Sequence, residues 1–167
     1  MDIIKWINQI LSWEPNARIV LHGVSMGAAT VLMASGEDLP GNVKAVIADC
    51  GYTSEWDEFQ REAETLHIPW FPVLNATSVL SKVRDGYDFK QASALAQVKK
   101  SRIPTLFIHG SSDELVPYSM LGELYAAAAC EKEELTVEGA GHALSSSVAP
   151  TLYWRTVEDF IAKYLDR

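Results

Sequence analysis

The chain has 167 residues, 14 basic against 22 acidic side chains, a formal net charge of −8 and 48% hydrophobic residues. That length fits one domain with a real core. The acidic balance excludes the basic face with which a nucleic-acid binder displaces counterions, and it disfavours adsorption to anionic membranes.

Ile3, Ile4, Ile7, Ile10 and Leu11 recur at helical spacing with Trp6 beside them, Asp2 can cap the helix, and Glu14-Pro15-Asn16 stops it. The opening residues have no basic segment feeding a long apolar stretch, so they do not read as a signal peptide. No uncharged apolar run reaches the roughly 18–20 residues of a membrane span. Residues 18–22 are short, apolar and β-branched, a buried strand; 27–35 read as a helix, and 43–48 as a second strand.

Residues 51–101 differ, with no strand-like run. They read as a helical, lid-like insertion: an acidic helix over 54–67, a break at Ile68-Pro69-Trp70-Phe71-Pro72, and short helices over 75–83 and 91–99. A third strand follows at 103–109, a helix at 117–130 with Pro at its first turn, a fourth strand at 134–138, and a closing helix at 150–165. Strands alternating with helices predict an α/β fold with a mostly parallel sheet of about four strands and helices on both faces. Cys50 and Cys130 make no disulfide framework; both read as small core residues, and a reducing, cytoplasmic setting is expected.

In a parallel sheet, functional groups gather beyond the carboxyl ends of the strands. The first strand runs into Gly23-Val24-Ser25-Met26-Gly27, a G-x-S-x-G pattern between strand and helix. That context lifts a serine oxygen above the sheet on a strained turn, with Gly23 and Gly27 leaving room where backbones crowd. The following helix aims its positive end at the site, and the Met26 N–H faces a developing oxyanion. The alternative is a glycine-rich turn with a capping serine.

A serine hydroxyl needs a base. Asp113 lies in the loop after the third strand and His142 in the Gly-rich loop after the fourth, so the chain order is Ser, Asp, His. In this reading His142 takes the proton of Ser25 and Asp113 orients the imidazole. Asp49, ending the second strand at the same edge, is the alternative acid, with turn capping as its other reading; Glu114 is a lesser fallback. His22 and His109 read as core or supporting residues and His67 as a helix-end residue. Trp56, Trp70 and Phe71 of the insertion are candidates for an apolar substrate pocket, against packing of helices onto the sheet. The acidic face of the insertion, Glu55 to Glu64, reads as solvated; facing the site, it would disfavour anionic substrates.

With these elements in order, the chain resembles α/β-hydrolase-fold serine hydrolases. "LHGVSMGAAT" resembles the nucleophile elbow, "IPTLFIHGSSDELVP" the acid loop and "GAGHALS" the histidine loop, while "VIADCGYTS" is similar to the dienelactone hydrolase and prolyl-oligopeptidase-like esterase branch. The resemblance implies hydrolysis of esters, thioesters or amides through an acyl-enzyme, on a small-molecule substrate, with no metal or organic cofactor. The resembled fold carries further strands ahead of the nucleophile strand, and a loop there gives a second oxyanion N–H. Here the nucleophile follows the first strand. The expectation is the C-terminal portion of that fold, one domain over 1–167 truncated at its N-terminal side. Its first strand becomes an open edge to be covered by a second copy, a partner chain or the first helix. A catalytically silent domain that binds through this edge is the competing function.

Overall fold

The computed structural model describes residues 2–165. Four strands form one sheet in sequence order, β1 (Ile19–Val24), β2 (Val43–Asp49), β3 (Thr105–Gly110) and β4 (Lys132–Val137), every neighbouring pair parallel. Parallel neighbours need crossovers. These are supplied among α1 (Asp2–Trp13), α2 (Met26–Ser35), α3 (Glu55–Thr65), α4 (Trp70–Asp85), α5 (Ala94–Val98), α6 (Ser119–Ala127), α7 (Ser145–Val148) and α8 (Pro150–Tyr164). The architecture is that of the α/β-hydrolase fold.

Strand alternation builds two cores. Ile19, Leu21, Val46, Ala48 and Phe107 point to the face covered by α1, α2, α5 and α6, where Ile7, Leu32, Val98 and Leu124 are buried. Ala45, Ile47, Leu106 and Ile108 point to the other, against Tyr153, Val157, Phe160 and Tyr164 of α8. Each fully buried side chain of this size contributes about 1.5–3 kcal/mol of apolar transfer. Every residue of β3 is buried, whereas β4, at one edge, is mostly half-exposed. At the other edge β1 pairs with β2 alone among the described residues.

Several boundaries differ from the sequence reading. β1 continues to Val24, because Gly23 and Val24 still pair with Ala48 and Asp49. β4 begins at Lys132, two residues early; this edge tolerates charge, and Lys132 Nζ donates to the carbonyls of Tyr125 and Ala128 at 2.6 and 2.8 Å. The third helix of the insertion is shorter than read, and α7 was not read at all.

α4 starts at Trp70, where a break was expected, and carries the break as a kink at Phe71 (φ −74°, ψ 86°). Pro72 fits there because first-turn N–H groups have no helical partner. α4 also turns its apolar flank outward: Val79, Leu80 and Val83 are 63%, 63% and 82% exposed. Its inner side is held by Leu74, which is buried, and by Ser78, whose Oγ accepts from the Phe89 N–H at 3.3 Å. The insertion is pinched at its base by an antiparallel bridge between Ser54 and Ser93. Both serines cap helices, accepting from the N–H of Asp57 and of Ala96. Among the described residues no helix is long and apolar enough to cross a membrane.

Candidate active site

Ser25 sits between β1 and α2 with φ 55° and ψ −118°, a conformation that a non-glycine residue rarely holds. Its N–H donates to the carbonyl of Asp49 at 2.8 Å, tying the turn to the end of β2. Although Ser25 occupies the N-cap of α2, its side chain makes no capping hydrogen bond. Its Oγ instead lies 2.8 Å from Nε2 of His142. Met26 opens α2, so its N–H belongs to the first turn, which has no carbonyl partner within the helix.

The two glycines of the turn are unequal. A Cβ on Gly23 would stand 2.2 Å from the Gly27 carbonyl oxygen, so glycine is required there. A Cβ on Gly27 would meet nothing within 4 Å. The steric reason given for Gly27 is thereby corrected: that position is open, and the crowding is all at Gly23.

Asp113 is buried in the loop after β3. Its Oδ1 accepts from the N–H groups of Leu115 and Val116 at 3.0 and 2.9 Å, and its Oδ2 lies 2.9 Å from Nδ1 of His142. These backbone donors fix the carboxylate without using the oxygen that faces the imidazole. His109, buried at the end of β3, places Nε2 3.0 Å from the Val116 carbonyl and 3.4 Å from Asp113 Oδ2. It buttresses the acid loop, as a supporting histidine. A Cβ on Gly110 would stand 2.2 Å from the Ala140 carbonyl oxygen, which brings the loops after β3 and β4 into contact. The three strand-end side chains thus form one hydrogen-bonded line. With the imidazole proton on Nδ1, His142 donates to Asp113 and accepts from Ser25.

Asp49 is not part of that line. Its carboxylate, 1% exposed, accepts from Ser145 Oγ at 3.1 Å and is also bonded to the Tyr153 hydroxyl. Tyr153 Oη in turn lies 3.0 Å from His22 Nε2. Burial pushes the Asp49 carboxyl above its usual range, while the bonds from Ser145 and Tyr153 pull it back. Burial likewise lowers His22, against the charge of Asp49. Asp49 therefore joins the serine turn, through its carbonyl, to the segment after His142, through its carboxylate. Glu114 neighbours Asp113 in sequence, but Asp113 is the carboxylate that meets the imidazole. His67 is exposed just past α3 with φ 55°.

Ser25 and Cys50, the first residues past β1 and β2, and Ala143, in the loop after β4, all have positive φ. Cys50 is fully buried beside Asp113 and His142. Burial pushes its thiol up to about 12, reinforced by the charge of Asp49 and opposed by the backbone N–H groups of Ala143 and Ser25. Cys130 is only half-buried, so the core reading holds fully for Cys50 alone.

Comparison with known proteins decides the family. The chain matches the model of the prolyl oligopeptidase family over residues 1–167. It belongs to that family. The Bacillus subtilis protein YqkD is 33% identical over 165 residues, covering 96% of this chain and 53% of that protein. The chain spans about half the length of the curated relatives it matches. In fold it is similar to the Pyrococcus furiosus esterase Pf2001 (TM-score 0.73, 19% identity, 98% of this chain and 61% of that one). It is also similar to the Pyrococcus horikoshii acylaminoacyl peptidase (TM-score 0.71, 18% identity, 98% of this chain and 27% of that one).

In this prolyl oligopeptidase family member, the three aromatic candidates of the insertion part company. Trp70 lines an apolar groove of about 240 Å³ between α3 and α4 with Phe59, Leu66, Val73, Leu74 and Phe89. None of Ser25, Asp113 and His142 lines that groove. Phe71 is 67% exposed beyond the kink. Trp56 lies under Lys90, whose Nζ is 4.3 Å from the ring centre. The link between insertion and site is polar instead: Arg61 of α3 donates to the Leu115 carbonyl in the acid loop. One turn earlier, Glu58 has its carboxyl raised by burial, opposed by Arg61, and it feels the charges of His142 and Asp113. Of the acidic face of α3, Asp57, Glu62 and Glu64 remain exposed to solvent. The sequence signal for Glu58 was only its place on that face and for Arg61 there was none, while Ser145 lay in the histidine loop and Tyr153 on the inward side of the closing helix with no role read for either.

Proposed function

We propose that the chain is a serine hydrolase that cleaves carboxylic esters, with thioesters and amides as chemically related substrates, through an acyl-enzyme on Ser25. The observation that carries the reading is the unbroken path from Ser25 Oγ to His142 Nε2 (2.8 Å) and from His142 Nδ1 to Asp113 Oδ2 (2.9 Å). A serine that merely caps a helix has no need of it.

In this mechanism His142 takes the hydroxyl proton as Ser25 Oγ bonds to the carbonyl carbon. The Met26 N–H faces the oxyanion, and His142 then gives the proton to the departing oxygen, sulfur or nitrogen. Water, deprotonated by the same imidazole, releases the acid and restores Ser25. Asp113 holds the ring through Nδ1. The negative charge of α3 near the acid loop, where Arg61 meets the Leu115 carbonyl, favours neutral or cationic substrates over anionic ones. Free thiols at Cys50 and Cys130 suit a reducing, cytoplasmic setting.

A second reading, a silent domain that associates through β1 with a second copy or a partner chain, draws on that strand's single neighbour among the described residues. One experiment separates the two. The purified chain is treated with a fluorophosphonate probe beside Ser25→Ala and His142→Ala. Labelling of the parent that disappears in both variants supports the hydrolase; a folded parent that takes no label refutes it.

A further inference from the structure

Cys50 takes no part in the proton path, yet it adjoins it. Its Sγ, a carboxylate oxygen of Asp113 and a ring nitrogen of His142 all lie within 4.8 Å of one another, the one such cluster of three among the described residues. The three ligands come from the ends of β2, β3 and β4, and Cys50 is held at φ 48° to present its sulfur there. Thiolate, carboxylate and imidazole together suit a borderline or soft divalent cation. Around a tetrahedral ion with bonds of about 2.0–2.3 Å, ligand atoms stand roughly 3.5 Å apart. Closing the set from separations of at most 4.8 Å thus takes a contraction of about 1.3 Å at the widest pair.

We propose that Cys50, Asp113 and His142 form an inhibitory site for a thiophilic divalent cation, zinc or cadmium, which switches off the base. His142 is the accessible member, its side chain 21% exposed against 0% for Asp113, so the cation arrives from the imidazole side. The ligating nitrogen is Nδ1, which already faces Asp113 at 2.9 Å. Its proton moves through solvent to Nε2, and the Cys50 thiol releases its proton to solvent. No electron is transferred. Thiolate and carboxylate neutralise the dication, so the buried assembly carries no net charge. An imidazole protonated on Nε2 cannot accept from Ser25, and the nucleophile loses its base. Binding is independent of the hydrolase reading; inhibition rests on it.

Cadmium chloride titrated into the purified chain tests both. The thiolate-to-cadmium ultraviolet absorption is followed in parallel with fluorophosphonate labelling. The expected result is a band that saturates near one equivalent, persists in Cys130→Ala, vanishes in Cys50→Ala, and weakens about tenfold or more in His142→Ala. Labelling of the parent falls at the same midpoint and returns on chelation. Circular dichroism checks each fold; Cys50→Ser, which keeps the volume but hardens the donor, replaces Cys50→Ala where that variant is unfolded. A band that survives loss of Cys50, or that is equally strong without His142, overturns the site. Cadmium bound at Cys50 with labelling intact overturns the inhibition. A parent that takes no label without metal sinks the hydrolase reading and its inhibition together, while the absorption still decides the site.

Discussion

Asp49 and Ser145, 96 positions apart, meet in a buried hydrogen bond of 3.1 Å. The same aspartate receives the Ser25 N–H on its carbonyl. One residue at the end of β2 thus holds the serine turn with its backbone and the segment after His142 with its side chain. Removing the Ser145 hydroxyl leaves a buried carboxylate oxygen short of a donor, a loss of about 1–3 kcal/mol. Urea denaturation of Ser145→Ala will read that loss.

The Asp49 carboxyl also fixes a pH dependence. Burial holds its folded pKa above the unfolded value, so the folded chain binds this proton more readily than the unfolded chain. Its contribution is most favourable below the unfolded carboxylate value, about 4, and is lost as pH rises through the raised folded value. Asp49→Asn deletes that dependence and keeps an acceptor for Ser145. The variant's stability relative to the parent will therefore rise with pH across that window in denaturation series. A relative fall would contradict the buried carboxyl.

The two elbow glycines will separate cleanly. Gly23→Ala forces a Cβ onto the Gly27 carbonyl, a backbone group that cannot swing aside, and a clash of this kind typically costs 1–3 kcal/mol, about the range of overpacking. Gly27→Ala enters open space in the first turn of α2 and gains up to about 1 kcal/mol of helix propensity. Thermal melts of the two proteins moving in the same direction would refute the assignment.

Asp113→Asn isolates orientation from folding. The amide oxygen can still accept from Leu115 and Val116, but the NH₂ group then faces His142 Nδ1 and favours the opposite tautomer. The fluorophosphonate labelling rate is expected to fall about 10⁴-fold, as in a triad with its acid neutralised, with circular dichroism retained. A loss of tenfold or less would mean that Asp113 does not orient the base.

The outward flank of α4 gives a stability contrast. Val83→Ser, at a position 82% exposed, is expected to change stability by about 0.5 kcal/mol or less. Leu74→Ala, on the buried side, will cost about 2–5 kcal/mol. Equal costs would mean that the helix faces the other way.

The strands, their parallel arrangement and the strand-end loops were legible because apolar runs and turn residues are local signals. β3 is buried throughout and reads as an unbroken apolar run, and the Ser, Asp and His positions follow from where each run stops. The orientation of α4 was not legible. Val79, Leu80 and Val83 look like core residues, and only the Ser78 and Leu74 contacts with Phe89 and its neighbours reveal which flank is inside. The Asp49–Ser145–Tyr153 cluster was hidden for another reason: Asp49 and Ser145 lie in separate motif stretches, Tyr153 lies in the closing helix, and the three meet only when β2 and α8 pack. Gly27 was misread because a glycine in a motif invites a steric reason that the backbone at that point does not supply.

The imidazole hangs from β4, the strand with the thinnest cover, while the acid hangs from β3, the best protected. The two halves of a 2.9 Å contact therefore belong to regions of unequal persistence. Opening of β4 alone carries the histidine away while the interior sheet endures. Loss of the Ser25–His142–Asp113 alignment on warming and loss of the fold become separate events, the first set by an edge and the second by the core.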